Sequence, residues 1–207
     1  MMTLPDILDQ YPDQIQIGKL TLKSYGRKGS MAGEIYTVSC SDDNSIVKSV
    51  LSRDGQNKIL VIDASGVSHA SMVGDQIAES ALKNNWAGIF VNGYVRDVEI
   101  LRNLDLPIFA RGSVAQKTDK QDHGFEDIMI SFGSIIMHSG NWLYVDENGW
   151  IVADTKLEFK RAQKKEAKQQ ASGRLQTVRR SKRLWFEQHR WSIISGGHLL
   201  VGGKDAK

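Results

Sequence analysis

The sequence has a single cysteine, Cys40, and few of the signals that place a chain outside the cytoplasm. One thiol excludes a disulfide within the chain and a zinc site made of four cysteines. No apolar run approaches the ~20 residues that span a bilayer. The first residues are acidic and lack the basic start and apolar centre of a secretory signal. We therefore expect a cytoplasmic protein without a membrane segment.

Several catalytic motifs are also absent. The five histidines are scattered without the paired spacing of a zinc-binding helix. The sequence contains neither a Gly-x-Ser-x-Gly nucleophile elbow nor a phosphate-binding P-loop. A histidine zinc site and serine-nucleophile chemistry of that type therefore have no support in the sequence.

Charge is distributed unevenly along the chain. The formal net charge is +3, but residues 156–190 contain 12 Lys and Arg against 3 Asp and Glu, and residues 1–155 carry −7. An acidic globule joined to a basic tail indicates that the tail meets nucleic acid or another anionic surface. We expect residues 156–190 to form a helical or frayed basic linker. Residues 191–207 are expected to form a β-hairpin with a turn at Gly196-Gly197.

Residues 1–155 alternate between strand-like and helix-like patterns. Apolar or alternating runs predict strands at 34–40, 58–63, 87–91 and 107–110. Apolar residues at helical spacing predict helices at 44–51, 74–84 and 98–104. Further strand-like runs, with turns at 139–141 and 147–149, fill residues 127–153. This order predicts an α/β fold with a mixed sheet.

The first candidate site is the start of the helix predicted at 74–84, which reads Gly74, Asp75, Gln76, Ile77. Free N–H groups and the positive end of the helix dipole favour a small anion there, such as a carboxylate. The plainer interpretation is that Asp75 is the N-cap, since Asp is a preferred cap. The pattern alone favours this plainer interpretation.

The second candidate is Arg96-Asp97, which follows the strand predicted at 87–91 and its loop. Proteins of the α/β class place ligands just beyond the carboxyl ends of their strands. Asp97 could hold a divalent metal as a hard oxygen ligand, directly or through water. Arg96 could bind an oxo or enolate oxygen. The alternative is an ordinary surface pair at the start of a helix.

The two candidates combine into one pattern, in which twenty residues separate Gly74-Asp75 from Arg96-Asp97. This pattern resembles the signature of class II 4-hydroxy-4-methyl-2-oxoglutarate aldolases, whose family also includes the regulators of ribonuclease E activity. The likeness covers residues 1–155. Its supporting segments are 24–27, 32–40, 58–63, 85–88, 103–108, 139–144 and 146–149.

The resemblance implies an αββα sandwich of the swivelling type, assembled as a homotrimer with sites between subunits. It also implies that a 2-oxo acid chelates Mg²⁺ or Mn²⁺, with Asp97 anchoring the metal and Asp75 ordering a water that relays protons. Arg96 and the backbone N–H groups of residues 74–77 would hold the substrate. The implied activities are aldol cleavage of 4-hydroxy-4-methyl-2-oxoglutarate-type acids to pyruvate and decarboxylation of oxaloacetate, which share a pyruvate enolate.

Two alternatives to this enzyme remain. Regulators in the family typically lack the acidic residue before the helix and the Asp after the Arg, whereas Asp75 and Asp97 are both present here. However, Ser139-Gly140 resembles the regulators, and Asn141 departs from the Asp usual in both branches. A non-catalytic regulator that binds an RNA-processing enzyme is therefore the first alternative. The second is an RNA- or ribosome-associated module that binds weakly through the basic tail.

The end of the chain has a resemblance of its own. Residues 184–187, 190–191, 194–195 and 199–206 resemble the opening of the RNA-binding NFACT-R domain of ribosome quality-control proteins. Lys204 stands where that motif usually has Arg, and only the opening of the domain is present. A fusion, a truncation or a sequence-assembly join would each account for this partial domain.

Overall fold

The computed structural model describes residues 2–159 and the backbone of residues 192–194 and 198–200. Contacts between residues divide the chain into two units, 1–157 and 158–207. The helices in the described part are α1 (Leu4–Gln10), α2 (Ser45–Leu51), α3 (Asp75–Lys83) and α4 (Val98–Leu101). The strands of the first unit are β1 (Ile15–Ile17), β2 (Lys23–Ser24), β3 (Met31–Ser39), β4 (Ile59–Asp63), β5 (Ser71–Val73), β6 (Gly88–Val95), β7 (Ile108–Ser113), β8 (Phe125–Glu126), β9 (Ile130–Phe132), β10 (Ile135–Met137), β11 (Trp142–Asp146) and β12 (Gly149–Ala153).

One large mixed sheet organises the first unit. Its strand order is β1-β12-β11-β3-β4-β6-β7-β2, with β5 paired to β6 and β8 paired to β3. The central strands β3, β4, β6 and β7 are parallel, and the outer pairs are antiparallel. The carboxyl ends of the parallel strands therefore lie at one edge, where the candidate residues follow β5 and β6.

Successive side chains of β4 point to opposite faces of the sheet and pack in two separate layers of the core. Leu60 and Ile62 pack in the cluster that contains the buried residues of α2, α3 and α4. Ile59 and Val61 pack in the cluster on the other face, which includes Phe90 and the β9–β10 hairpin. These four apolar side chains are fully buried, and burying each contributes ~1.5–3 kcal/mol. This burial on both faces explains why β4 appears in the sequence as a continuous apolar run.

The structure confirms the mixed α/β fold. One strand near the candidate site is longer than predicted. β6 was predicted to end at Val91 but continues to Val95. Its last residues pair with β5, which was not predicted, through Ser71 opposite Tyr94 and Val73 opposite Val95. Arg96 is the residue that directly follows this paired end of β6. Helix α1 was also not predicted; it begins after Thr3, whose hydroxyl accepts a hydrogen bond from the Asp6 N–H.

The second unit is described only in part. Residues 192–194 and 198–200 form an antiparallel pair in which Ile194 lies opposite His198. The predicted basic helical linker falls largely on residues 160–191, which lie outside the described part. The NFACT-R resemblance of the tail stays a prediction. Within the described residues, no helix is long and apolar enough to cross a membrane.

Candidate active site

A cleft of 350 Å³ lies at the start of α3, beside the ends of β5 and β6. Its lining residues are Asn44, Lys48, Ser52, Ser71, Gly74, Asp75, Gln76, Ile77, Ser80, Arg96, Lys117, Thr118 and Lys120. Four of these residues are cations, whereas Asp75 is the single acid among them. The excess of positive charge favours an anionic ligand.

A larger cleft of 540 Å³ lies elsewhere in the first unit, between residues 18–29 and 145–150. Its charged lining residues are balanced in sign: Lys19 and Arg27 against Asp146 and Glu147. None of the residues predicted to form a site lines it. The smaller cleft is therefore the better candidate for the functional site.

Gly74, and not Asp75, is the N-cap of α3. The interpretation of Asp75 as the cap is thus wrong by one residue. Asp75 is the first helical residue, and its Oδ1 accepts a hydrogen bond from the Gln76 N–H at 2.7 Å. The Asp75 N–H in turn donates to Asp97 Oδ2 at 3.3 Å. Two of the N–H groups expected to hold substrate therefore already have partners, whereas the Ile77 N–H has none among the described residues.

Asp97 adopts a left-handed backbone conformation, with φ 55° and ψ 41°. Asp tolerates this region better than most residues. Asp97 is the N-cap of α4, yet its carboxylate makes no capping hydrogen bond. Capping bonds of this kind typically stabilise by ~1 kcal/mol. Instead, Oδ2 faces the first turn of α3 and lies 3.1 Å from Arg96 Nε, with both side chains about one-third exposed. The carboxylate thus contacts α3 and Arg96, which line the cleft, rather than its own helix.

Gly74 allows this close approach. A Cβ atom at position 74 would lie 2.7 Å from Asp97 Oδ2 and 3.0 Å from Arg96 Nε. The two segments are joined beside it, because the Arg96 N–H donates to the Val73 carbonyl at 2.9 Å. The spacing between Gly74-Asp75 and Arg96-Asp97 in the sequence therefore corresponds to a direct contact between two strand ends.

Asp43 anchors the segment that carries Lys117 and Lys120. Asp43 Oδ2 accepts hydrogen bonds from the Gln121 N–H at 3.0 Å and the His123 N–H at 2.8 Å. Its Oδ1 accepts from the Ser45 N–H at 2.8 Å. Burial alone would raise the pKa of Asp43, but these backbone hydrogen bonds outweigh burial and lower the pKa to about 2. A charged, buried carboxylate therefore fixes one wall of the cleft.

The structure brings the two predicted segments together. Gly74, Asp75, Gln76, Ile77 and Arg96 line the cleft, and Asp97 lies directly against Asp75 and Arg96. Sequence reasoning missed the three lysines at positions 48, 117 and 120 and the threonine at 118. These residues carry no motif, and only the fold brings them near α3.

Asn141, noted as a departure from the usual Asp, lies outside the residues that line the cleft. Its side chain is buried, and its Oδ1 accepts a hydrogen bond from the His138 N–H at 3.0 Å. Asn141 therefore stabilises the turn before β11. Having Asn in place of Asp at this position does not change the residues that line the cleft.

Comparison with known proteins gives consistent matches over the first unit. A family model described as RraA-like, Aldolase/RraA, matches residues 2–152. A Shewanella oneidensis protein with the provisional name 4-hydroxy-4-methyl-2-oxoglutarate aldolase is 40% identical over 156 residues, covering 75% of this chain and 95% of that protein. A Pseudomonas aeruginosa protein with the same provisional name is 38% identical over 155 residues, covering 75% of this chain and 96% of that protein.

Two solved structures share the fold with different described activities. One, from Geobacillus kaustophilus, is described as an S-adenosylmethionine:2-dimethylmenaquinone methyltransferase; it has a TM-score of 0.74 and 30% identity, covering 75% of this chain and 97% of that chain. The other, the RNA-processing inhibitor RraA from Thermus thermophilis, has a TM-score of 0.74 and 27% identity, covering 78% of this chain and 98% of that chain. The fold alone therefore does not select an activity, which has to be argued from the site.

Proposed function

The chain belongs to the RraA-like family, and from that premise we propose that it is a divalent-metal-dependent lyase. Its proposed substrates are 4-hydroxy-4-methyl-2-oxoglutarate-type 2-oxo acids, which it cleaves to pyruvate, and oxaloacetate, which it decarboxylates. One observation carries the proposal: Arg96 and three lysines line a cleft at the first turn of α3, and Asp97 lies against both Arg96 and that turn. The provisional names of the relatives support aldolase activity at the level of the family.

Mg²⁺ or Mn²⁺ is the proposed cofactor, with Asp97 as its protein ligand. No group of three or more His, Cys, Asp and Glu side chains suited to a metal occurs among the described residues. Mg²⁺ does not need such a cage, because it commonly binds one or two carboxylates and keeps water and substrate oxygens as its other ligands. Asp97 Oδ1 has no partner within the described residues, and the side chain is partly exposed. The donor set therefore fits an ion held by Asp97 together with substrate.

When bound, the ion would supply Lewis acidity at the substrate's oxo group. Arg96 supplies the protein's positive charge at the same place. Its Nε is paired with Asp97, which orients the guanidinium and leaves both terminal nitrogens without partners among the described residues. Those nitrogens can bind the 2-oxo acid and stabilise the negative charge that develops on the enolate oxygen.

Asp75 is the proposed proton relay. In the retro-aldol step, the bond between C3 and C4 breaks and its electron pair forms the pyruvate enolate. The C4 hydroxyl loses its proton and C4 becomes a carbonyl; a proton then returns to C3 to give pyruvate. The Asp75 carboxylate borders the cleft, anchored by the Gln76 N–H, and can pass these protons through an ordered water.

Pyruvate release tests the proposal directly. The protein is incubated with 4-hydroxy-4-methyl-2-oxoglutarate or oxaloacetate after EDTA treatment, and then with added Mg²⁺ or Mn²⁺. We expect no enzymatic release in EDTA and recovery on adding metal. Release at the same rate with and without chelator would contradict the metal's role, and no release under any condition would refute the lyase.

A non-catalytic regulator of an RNA-processing enzyme is the second candidate, favoured by the likeness to the Thermus inhibitor. The two candidates differ at the cleft, since a regulator has no need of metal bound beside Arg96. Calorimetric titration with Mn²⁺ separates them. Binding that is lost in an Asp97→Asn variant supports the lyase, whereas no binding, together with inhibition of a ribonuclease, supports the regulator.

We further propose that the chain assembles as a homotrimer. Three large apolar side chains between β8 and β10 are exposed: Phe125 at 69%, Met129 at 70% and Ile136 at 56%. Exposed apolar surface of this kind commonly marks contacts between proteins. Light scattering measures the mass of the assembly, and a monomeric mass would refute the trimer.

Weak RNA binding is the proposal for the tail. Residues 156–190 carry 12 basic against 3 acidic residues, whereas residues 1–155 are net acidic. Basic segments bind nucleic acid through counterion release, so affinity should fall steeply with salt and show little sequence preference. Binding that does not change with salt would contradict this electrostatic origin.

A further inference from the structure

The larger cleft, of 540 Å³, has no part in the proposed lyase reaction. It lies at the amino ends of the parallel strands, because Val145, near the end of β11, pairs with Met31, the first residue of β3. The residues assigned to the reaction follow β5 and β6, at the opposite edge of the sheet. A cleft of this volume is within the range of sites for small organic ligands. A ligand bound there would not compete with a substrate in the smaller cleft.

Hydrogen bonds to the backbone fix the walls of the larger cleft. On one wall, the Trp150 indole N–H donates to the Leu20 carbonyl at 2.8 Å. On the second, the Arg27 N–H donates to the Leu104 carbonyl at 3.1 Å. On the third, the Asp146 carboxylate accepts from two backbone N–H groups, one at the start of α1 at 2.8 Å and one in its own turn at 2.7 Å. The walls are therefore preformed, and a ligand binds with little further ordering of the protein.

Three charged side chains of this lining are available to a ligand. Lys19, Arg27 and Glu147 are exposed, and none of them forms an ion pair within the described residues. The fourth charged residue, Asp146, already accepts two hydrogen bonds. Glu147 Oε1 lies 3.8 Å from the position that a Cβ atom would take on Gly29, so it faces the segment that carries Arg27. Free cations and a free carboxylate in one cleft favour a ligand that carries both signs of charge.

Apolar side chains supply a second property of the larger cleft. The apolar lining residues are Leu20, Leu22, Phe109, Val145 and Trp150. Leu20 and Leu22 are only partly buried, and they pack on the core layer that contains the other three. Covering the apolar surface that these two leucines leave exposed is favourable. A ligand with an apolar body gains from this surface, whereas a wholly polar ligand does not.

We propose that the larger cleft binds a free apolar α-amino acid. The ligand's carboxylate binds Lys19 and Arg27, its ammonium group binds Glu147, and its side chain covers Leu20 and Leu22. Such a ligand has no net charge, which matches a lining of two cations and two acids. The inference goes beyond the proposed lyase and does not depend on it.

Three analogues of L-phenylalanine, each without one feature, test the site on the wild-type full chain. 3-Phenylpropanoate lacks the ammonium group, L-phenylalaninamide lacks the carboxylate, and glycine lacks the apolar side chain. Calorimetry measures L-phenylalanine directly and each analogue by competition with it. We expect L-phenylalanine to bind more tightly than each analogue by about 10-fold or more. No binding of L-phenylalanine at about 10 mM, or equal competition by any analogue, would overturn the assignment.

Variants locate the bound amino acid. Lys19→Met combined with Arg27→Met removes both cations, Glu147→Gln removes the free carboxylate, and the control is Lys23→Met, an exposed lysine outside the lining. The first two changes should each weaken L-phenylalanine binding by about 10-fold or more, and the control by less than about 2-fold. Wild-type affinity in either, or an equal loss in the control, would overturn the site. Lys117→Met, in the smaller cleft, should bind as the wild type does; a loss there would place the ligand in that cleft instead.

Discussion

Replacing Asp43 with Asn should weaken both the fold and one wall of the cleft. The carboxylate accepts three backbone hydrogen bonds, from Ser45 on one oxygen and from Gln121 and His123 on the other. Asn has one acceptor oxygen, so its NH₂ group must face either the Ser45 N–H or the other two donors. Hydrogen bonds to charged groups contribute ~1.5–3 kcal/mol, and a buried donor without an acceptor costs ~1–3 kcal/mol. The loss should therefore be about 2–4 kcal/mol.

The lowered pKa of Asp43 expresses the same hydrogen bonds as a dependence of stability on pH. The backbone hydrogen bonds lower it from 3.8 to about 2, although burial opposes them. At ~1.4 kcal/mol per pKa unit, this corresponds to about 2 kcal/mol of stability. A lowered pKa in the folded state stabilises the protein above the unfolded pKa, and that stability is lost as the pH falls through the folded value. The contribution is thus present at neutral pH and disappears between about pH 4 and pH 2.

Urea unfolding followed by circular dichroism measures both effects. At neutral pH, Asp43→Asn should lower the free energy of unfolding by about 2–4 kcal/mol, and this gap should narrow as the pH falls toward about 2. The control is Asp119→Asn, an exposed carboxylate of the same segment, which should change stability little. A gap below about 0.5 kcal/mol at neutral pH, or one that stays constant with pH, would refute the role given to Asp43.

Three further predictions concern the active site and the tail. Arg96→Lys keeps the charge but loses the planar fork, so kcat for pyruvate release should fall at least ~10²-fold with an unchanged circular dichroism spectrum; near-normal turnover would count against Arg96. Gly74→Ala should keep the fold, because the atoms nearest its methyl group belong to the partly exposed side chains of Asp97 and Arg96, but it should weaken Mn²⁺ binding and slow turnover; wild-type Mn²⁺ affinity would contradict the close approach. Truncation after Phe159 should retain lyase activity and the assembly while removing salt-dependent RNA binding. The cut spares Leu157, whose N–H donates to the Tyr144 hydroxyl at 2.8 Å, and RNA binding that survives it would show that the tail is not the binding element.

The local pattern of the sequence was enough to predict the central elements and the two site segments. The strand at 58–63 is a continuous apolar run, because the β4 side chains are buried on both faces. The helices predicted at 44–51 and 74–84 have apolar residues at helical spacing, because one face of each packs on the sheet. The spacing between Gly74-Asp75 and Arg96-Asp97 could be read from the sequence because each pair consists of two neighbouring residues.

Contacts between distant segments were decided by the tertiary structure alone. Asp43 meets Gln121 across 78 residues, and no local preference for helix or strand encodes such a hydrogen bond. The left-handed backbone of Asp97 and the capping position of Gly74 occur where β5 and β6 end side by side. Lys117 and Lys120 stand in a polar segment that looks like any solvent-exposed loop, and they line the cleft only because the fold brings that segment beside β5 and α3. Short-range periodicity reports which faces are buried, whereas a binding cleft depends on which chain ends the sheet brings together.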